Sequence, residues 1–248
     1  MEKPTERHAG FELHPLGDAA VIVQFAKTIN PDAHRSVQAL TAYLDAHGFP
    51  GFVEAVPAFA SVAVYYDPRI VMEKLSSTTE PASCHERVCT LLAQMIRQLH
   101  SFSVGHSRVV EIPVCYGEEC GPDLPFVAQY HRLTCEEVIA IHSSAEYLVY
   151  MIGFAPGFPY LGGMPERIAT PRRETPRLSI PPGTVGIGGR QTGIYPLATP
   201  GGWHCIGRTP LPLFRPDKHP PSLLQAGDRV RFRPISHEAY AAWKEQAP

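Results

Sequence analysis

The sequence predicts two domains of different class, an α+β domain over 1–105 followed by a mainly β domain over 106–248. Three observations predict it. Two segments of the first hundred residues carry helical periodicity with caps and alternate with short apolar strands. Proline and glycine crowd the second half, with 12 of each between Tyr147 and Pro216. That stretch nonetheless keeps Tyr147, Tyr150, Phe154, Phe158, Tyr160, Tyr195, Trp203 and Phe214, and disordered tracts are poor in aromatics. The prolines and glycines therefore punctuate an ordered, loop-rich β scaffold.

The elements follow in order. Phe11–Leu16 and Ala20–Phe25 read as strands around a Gly17-Asp18 turn. Asn30-Pro31 supplies an N-cap and a first-turn proline, Val37, Leu40 and Leu44 share one helical face, and Gly48 stops the helix, which is expected over 31–47. Phe52–Val56 and Ser61–Tyr66 are short strands, the first broken by Pro57 and the second closed by Asp67-Pro68. Ser83 and Glu86 form a capping box ahead of Val88, Leu91, Leu92, Met95 and Leu99, so a second helix is expected over 84–100. Residues 101–107 lack either periodicity and mark the boundary. Beyond them Val109–Val114 opens a strand, and Thr134 with Glu137 caps a helix over 135–143 that buries Val138, Ile139 and Ile141. Strands are expected at 185–187, 194–197, 203–206 and 229–232.

Composition narrows the function. The 248 residues hold 22 Lys and Arg against 24 Asp and Glu, a near balance that gives none of the field of a nucleic-acid or anionic-membrane binder. Met1–Gly10 is polar, and nowhere do eighteen apolar residues run together, so a cytoplasmic protein without a membrane partner is expected. Cysteines at 84, 89, 115, 120, 135 and 205 form no C-x-x-C pair. They are expected to be reduced packing residues rather than metal ligands.

The second half has an unusual charge pattern. No aspartate lies between Leu124 and Pro216, lysine is absent from 75 to 217, and 147–216 holds seven arginines against Glu166 and Glu174. Arginine without lysine suits forked recognition of carboxylate or phosphate, so the expected ligand is a small anion and any magnesium is expected to come with a nucleotide. Gly186 to Gly193 is either a tight turn at a barrel corner or an anion loop. Arg190, Gln191 and Thr192 beside it add three donors in favour of the loop. Gly153 to Gly163 is either a hydrophobic plug or, through Phe154, Phe158 and Tyr160, a rigid wall for a flat amide ring. Arg172-Arg173, held between Pro171 and Pro176, reads as an anion clamp. His142, ending the capped helix, is expected to meet the helix dipole rather than act as a base, and His204 and Cys205 face opposite ways along a strand. The anion site is thus assigned to Arg172, Arg173 and Arg190, substrate hydrogen bonds to Gln191 and Thr192, and the wall to Phe154, Phe158, Tyr160 and Tyr195, with no catalytic residue or metal ligand named.

Gly121-Pro122-Asp123-Leu124, Tyr147–Gly163, Thr170–Arg177, Pro181–Pro196 and Pro200–Pro210, taken in order, closely resemble the family of 5-oxoprolinase B subunits, also called the kinase A inhibitor or allophanate hydrolase subunit 1 family. Thr184, Met164 and Cys205 depart from its usual residues without removing a charge. The resemblance implies a ferredoxin-like N-terminal domain and a cyclophilin-like β-barrel C-terminal domain. It also implies a polypeptide that acts with the A and C subunits of a 5-oxoprolinase to cleave 5-oxo-L-proline to L-glutamate with ATP hydrolysis, inactive alone, ATP and its magnesium being shared with or held by a partner. Two other functions follow from the same resemblance: inhibition of a sensor histidine kinase, and carboxyl transfer to a urea-like amide, for which biotin would have to ride on another polypeptide. Prolyl isomerisation does not follow from a shared barrel.

Overall fold

The computed structural model describes residues 6–8, 10–75, 83–99 and 108–246. The chain divides between His106 and Ser107 into two compact units. The expected boundary at 101–107 lies outside the described residues.

In the first unit, β1 (Glu6–His8), β2 (Phe11–Pro15), β3 (Ala20–Gln24), β4 (Phe52–Pro57) and β5 (Ser61–Tyr66) form an antiparallel sheet ordered β1-β2-β3-β5-β4. Helix α1 (Pro31–Ala46) begins where the Asn30 side chain accepts from Ala33 N at 2.7 Å. Helix α2 (Pro68–Lys74) follows β5, where the sequence pattern predicts only a strand stop. Asp67 caps it through Arg69 N and proline occupies its first turn, which is the arrangement a helix start prefers. Helix α3 (Cys84–Gln98) begins at a complete Ser83–Glu86 capping box. Val37, Leu40 and Leu44 of α1 pack with Val88 and Leu92 of α3 on Val21, Val23, Val62 and Val64 of the sheet, all fully buried.

The second unit is built on a closed barrel of seven strands, consistent with a cyclophilin-like barrel. In barrel order they are β10 (Thr184–Gly188), β11 (Gln191–Ile194), β8 (Pro159–Gly162), β7 (Glu146–Ile152), β14 (Arg229–Ile235), β6 (Val109–Tyr116) and β13 (His204–Arg208). A two-stranded sheet of β9 (Arg177–Ile180) and β12 (Thr199–Gly201) sets Arg177 opposite Gly201. Helices α4 (Leu124–His131), α5 (Cys135–Ser144) and α6 (His237–Gln246) complete the unit. Closure leaves no barrel strand as an open edge. Ile112, Val114, Val149, Leu161, Val185, Ile187, Ile194, Ile206 and Val230 are fully buried in its core.

Several expectations are corrected here. The strand expected at 194–197 runs instead over β11, and the one expected at 203–206 is β13, shifted by one to two residues. Helices α4 and α6 have no counterpart in the sequence pattern. Nor do β7 and β8, which lie within the aromatic, glycine-rich motif. Ile139 and Ile141 are half-buried while His142 is fully buried. His142 does not simply meet a helix dipole. Thr192 Oγ1 donates to Gly186 O at 3.0 Å, so it accepts from His142 Nε2 at 3.0 Å, and Nδ1 then accepts from the Tyr116 hydroxyl at 2.8 Å. Burial pushes His142 down to about 3, so the ring is neutral at ordinary pH.

Candidate functional site

The second unit gathers charge around Asp123, the acid that immediately precedes the aspartate-free stretch. Asp123 stands at the N-cap position of α4, yet its side chain makes no cap hydrogen bond. Instead Oδ1 accepts from Arg173 Nη1 at 3.0 Å and Arg177 Nη2 at 2.8 Å, and Oδ2 accepts from Arg177 Nη1 at 2.6 Å and from Cys205 N at 2.8 Å. The Arg177 contact is bidentate, the geometry that guanidinium and carboxylate favour. Burial alone would raise the Asp123 carboxyl, but the Arg177 hydrogen bonds, the Cys205 amide and the two guanidinium charges hold it below the usual range. It is an ionised, buried centre.

Local backbone places it there. Gly121 passes against β13 so closely that a Cβ would lie 2.0 Å from Ile206 O, and only glycine fits. Asp123 N then donates to Cys205 O at 2.9 Å, so Asp123 and Cys205 are joined by two hydrogen bonds. The Pro171–Pro176 segment is tied over the same point, with Arg173 N donating to Gly202 O at 2.7 Å and His204 Nε2 to Pro171 O at 2.9 Å. His204 also stacks on Phe126, centroids 4.6 Å apart and planes within 10°. Burial, with the Arg173 and Arg177 charges, lowers its basicity, so the ring is neutral with its proton on Nε2. Two buried polar atoms at this point have no partner among the described residues: Arg173 Nε and His204 Nδ1. Buried groups of this kind are seldom left unpaired. The first is a donor and the second a lone pair. Cys205 beside them is not a ready nucleophile, because burial pushes its thiol up to about 11 despite the Arg177 charge.

The expected aromatic wall is in part a packed cluster. Phe158 sits at its centre, edge-on to Phe154 at 5.3 Å, Tyr160 at 5.3 Å and Tyr195 at 5.7 Å. Trp203, outside the expected wall, joins at 5.9 Å. Phe158 and Tyr195 are buried, Tyr160 half-buried, and Phe154 67% exposed at a left-handed φ of 68°. Cys205 belongs to this cluster and touches the charged one, so the two features adjoin.

The remaining expected residues divide. Arg173 is in the charged cluster, and Arg172, exposed, lies near enough for its charge to act on the Tyr195 phenol. Arg190 does not join them. Its partner is Glu166, both side chains being 75% exposed, and it sits on the turn between β10 and β11. Gln191, half-buried, begins β11 opposite Gly188. Thr192 points the other way, into the barrel, where Gly186 and His142 use its hydroxyl, so it offers substrate nothing. Asp123, Arg177 and His204 belong to the cluster but escape the sequence pattern. The motif Gly121-Pro122-Asp123 is the available signal, an acid set directly after a glycine-proline pair.

The family model described as "Carboxyltransferase domain, subdomain C and D" matches residues 11–224. The B subunit of 5-oxoprolinase from Bacillus subtilis (strain 168) is 49% identical over 237 residues, 96% of this chain and 98% of that protein. That of Escherichia coli O157:H7 is 41% identical over 88% of this chain and 94% of its own. The crystal structure of TTHA0988 superposes with a TM-score of 0.72 at 35% identity, over 88% of this chain and 40% of that one. The urea amidolyase of K. lactis shares the fold alone, at 19% identity and a TM-score of 0.71. The chain belongs to the carboxyltransferase-domain family of subdomains C and D. Within it, the chain belongs with the 5-oxoprolinase B subunits.

Proposed function

We propose that this chain is the B subunit of an ATP-dependent 5-oxoprolinase that opens 5-oxo-L-proline to L-glutamate. The observation that carries the reading is similarity to the Bacillus subtilis protein over nearly all of both chains. The first unit is read as ferredoxin-like, with β2 in the place of the closing strand beside β3.

The geometry agrees with an accessory role. The substrate is a five-membered lactam with a carboxylate, an N–H and a resonance-stabilised carbonyl, so its opening requires activation of that carbonyl with ATP and stabilisation of the anions that result. This chain offers cations and hydrogen-bonding atoms: Arg172 and Arg173 for carboxylate or phosphate, the Arg173 Nε donor, and the His204 Nδ1 lone pair for an N–H. The last two are reached when a guest or a partner residue displaces the Pro171–Pro176 strap. The residues do not fit a magnesium ion, because Asp123 is consumed by Arg173 and Arg177 and Glu166 by Arg190. Carboxylates for a nucleotide's metal are assigned to the companion A and C subunits.

The test is turnover of 5-oxoproline by this chain mixed with the A and C subunits. Arg173→Ala is expected to lower kcat/KM by about 100-fold, as loss of one charge-assisted contact to a reacting anion does, with assembly intact. Arg190→Ala is expected to match wild type. A wild-type rate in Arg173→Ala removes the site, and an inactive wild-type mixture removes the function.

A further inference from the structure

We infer that Cys115, Cys120 and His237 form a zinc site on the second unit, distinct in chemistry from the cluster around Asp123 and independent of the proposed oxoprolinase role. One ligand atom from each lies within 4.8 Å of the other two. A tetrahedral zinc with bonds of about 2.3 Å to sulfur and about 2.0 Å to nitrogen holds its ligands about 3.5–3.8 Å apart, so contraction by about an ångström sets three corners of the tetrahedron and water takes the fourth.

The backbone brings them together by two independent routes. Cys115 lies next to the end of β6, and the turn that follows curls back through Gly117 and Glu118, both at positive φ (72° and 46°), with Gly121 N donating to Gly117 O at 2.7 Å. That turn returns Cys120 beside Cys115. Parallel pairing of β14 with β6 puts Ile235 opposite Cys115, so His237, two residues on at the start of α6, arrives at the same point. Ile235 and Tyr240 wall the cysteines on the apolar side, while His237 stays half-exposed and gives a cation a way in. Glu118 Oε2 stands 3.3 Å from His237 Nε2. If Nε2–H donates to this carboxylate, Nδ1 is left for the metal, the orienting arrangement common among metal-bound imidazoles. Two thiolates and an imidazole are a donor set that suits zinc and disfavours calcium or magnesium. Each thiol gives up its proton to the solvent as its sulfur–zinc bond forms, and no oxidant is involved. The spacing C-x4-C conceals the set in the sequence, since the third ligand lies on another strand's continuation.

The experiment loads the full chain, purified under reducing conditions, with zinc and separately with cobalt, removes loose metal by dialysis, and measures metal content, visible spectrum and melting temperature. Wild type is expected to keep about one zinc per chain, to show a sulfur-to-cobalt charge-transfer band, and to melt higher with zinc. Cys120→Ala and His237→Ala, at the turn and the half-exposed helix start, are expected to lose all three signals while keeping the wild-type circular dichroism. Glu118→Gln is expected to weaken zinc by about 10-fold or more. Zinc content equal in wild type and both variants, or a cobalt spectrum without sulfur charge transfer, overturns the proposal. So does a Cys115–Cys120 disulfide that survives purification under reducing conditions.

Discussion

Asp123 shows what a residue gives up when it is recruited to a site. At the N-cap of α4 its carboxylate would ordinarily bond a first-turn amide, and here it turns away to two arginines and a strand amide. Asp123→Asn leaves both guanidinium groups short of an anion, and the expected cost is about 3 kcal/mol, the low end for a broken buried pair because both arginines keep some contact with water. Urea unfolding at pH 7 measures it. A carboxyl whose pKa is lower in the folded state stabilises above its unfolded pKa, near 4, and that contribution is lost as pH falls through the folded pKa. The gap between wild type and variant is therefore expected to narrow in acid. His142 acts in another window. Its ring is pushed down to about 3 in the folded protein, so between about 6.5 and 3 the unfolded chain binds a proton that the folded one refuses. Its contribution is complete above about pH 6.5 and falls by about 2 kcal/mol by pH 5. His142→Gln is expected to show a shallower fall in stability from pH 7 to pH 5, and an unchanged slope would remove His142 as the cause.

At the scale of elements, what matters is how tightly a turn or a cap fixes a site. Gly121→Ala would force a Cβ into the β13 backbone, and the segment would move away with Asp123 attached. A loss of about 2–3 kcal/mol is expected, together with loss of the oxoprolinase rate in the reconstituted mixture. Ser83→Ala removes half of a capping box in the other unit and is expected to cost about 1 kcal/mol by chemical denaturation without touching that rate. These caps are also the most legible parts of the sequence. Asn30, Ser83 and Thr134 announce α1, α3 and α5 through a hydroxyl or amide at a fixed offset, and each helix starts where its cap stands. Helix α4 is not legible because it has only eight residues and its cap residue is used elsewhere. Strands β7 and β8 are hidden by the glycines and prolines between them. For the site, the sequence pattern names Arg173, Phe158 and Tyr195, which the structure brings into the charged and aromatic clusters, but strand alternation does not tell which of two neighbours faces the barrel interior. Arg190 and Thr192 stand two apart with Glu166 and His142 as partners, both distant in sequence.

At the scale of the whole molecule, the barrel leaves apolar side chains in water beside its charged cluster. Leu178, next to Arg177 on β9, is 92% exposed, and Phe154 lies open on the loop ahead of Phe158. Neither contributes much to the isolated fold, since exposed side chains away from caps and cores change stability little. Phe154 even holds a left-handed conformation that asparagine adopts more readily. A companion polypeptide that brings carboxylates to this face would cover both. Leu178→Asp combined with Phe154→Asn is thus expected to leave the melting temperature of the isolated chain within about a degree of wild type while weakening assembly with the proposed companion subunit by about 30-fold, the cost of losing a buried apolar anchor of about 2 kcal/mol. Co-elution and isothermal titration measure the assembly. When the proposed companion subunit is saturating the rate should recover, because neither residue supplies a charge to the anion. If assembly is unchanged in the double variant, the companion docks elsewhere, and the carboxylates missing from this face must reach Arg172 and Arg173 from another direction.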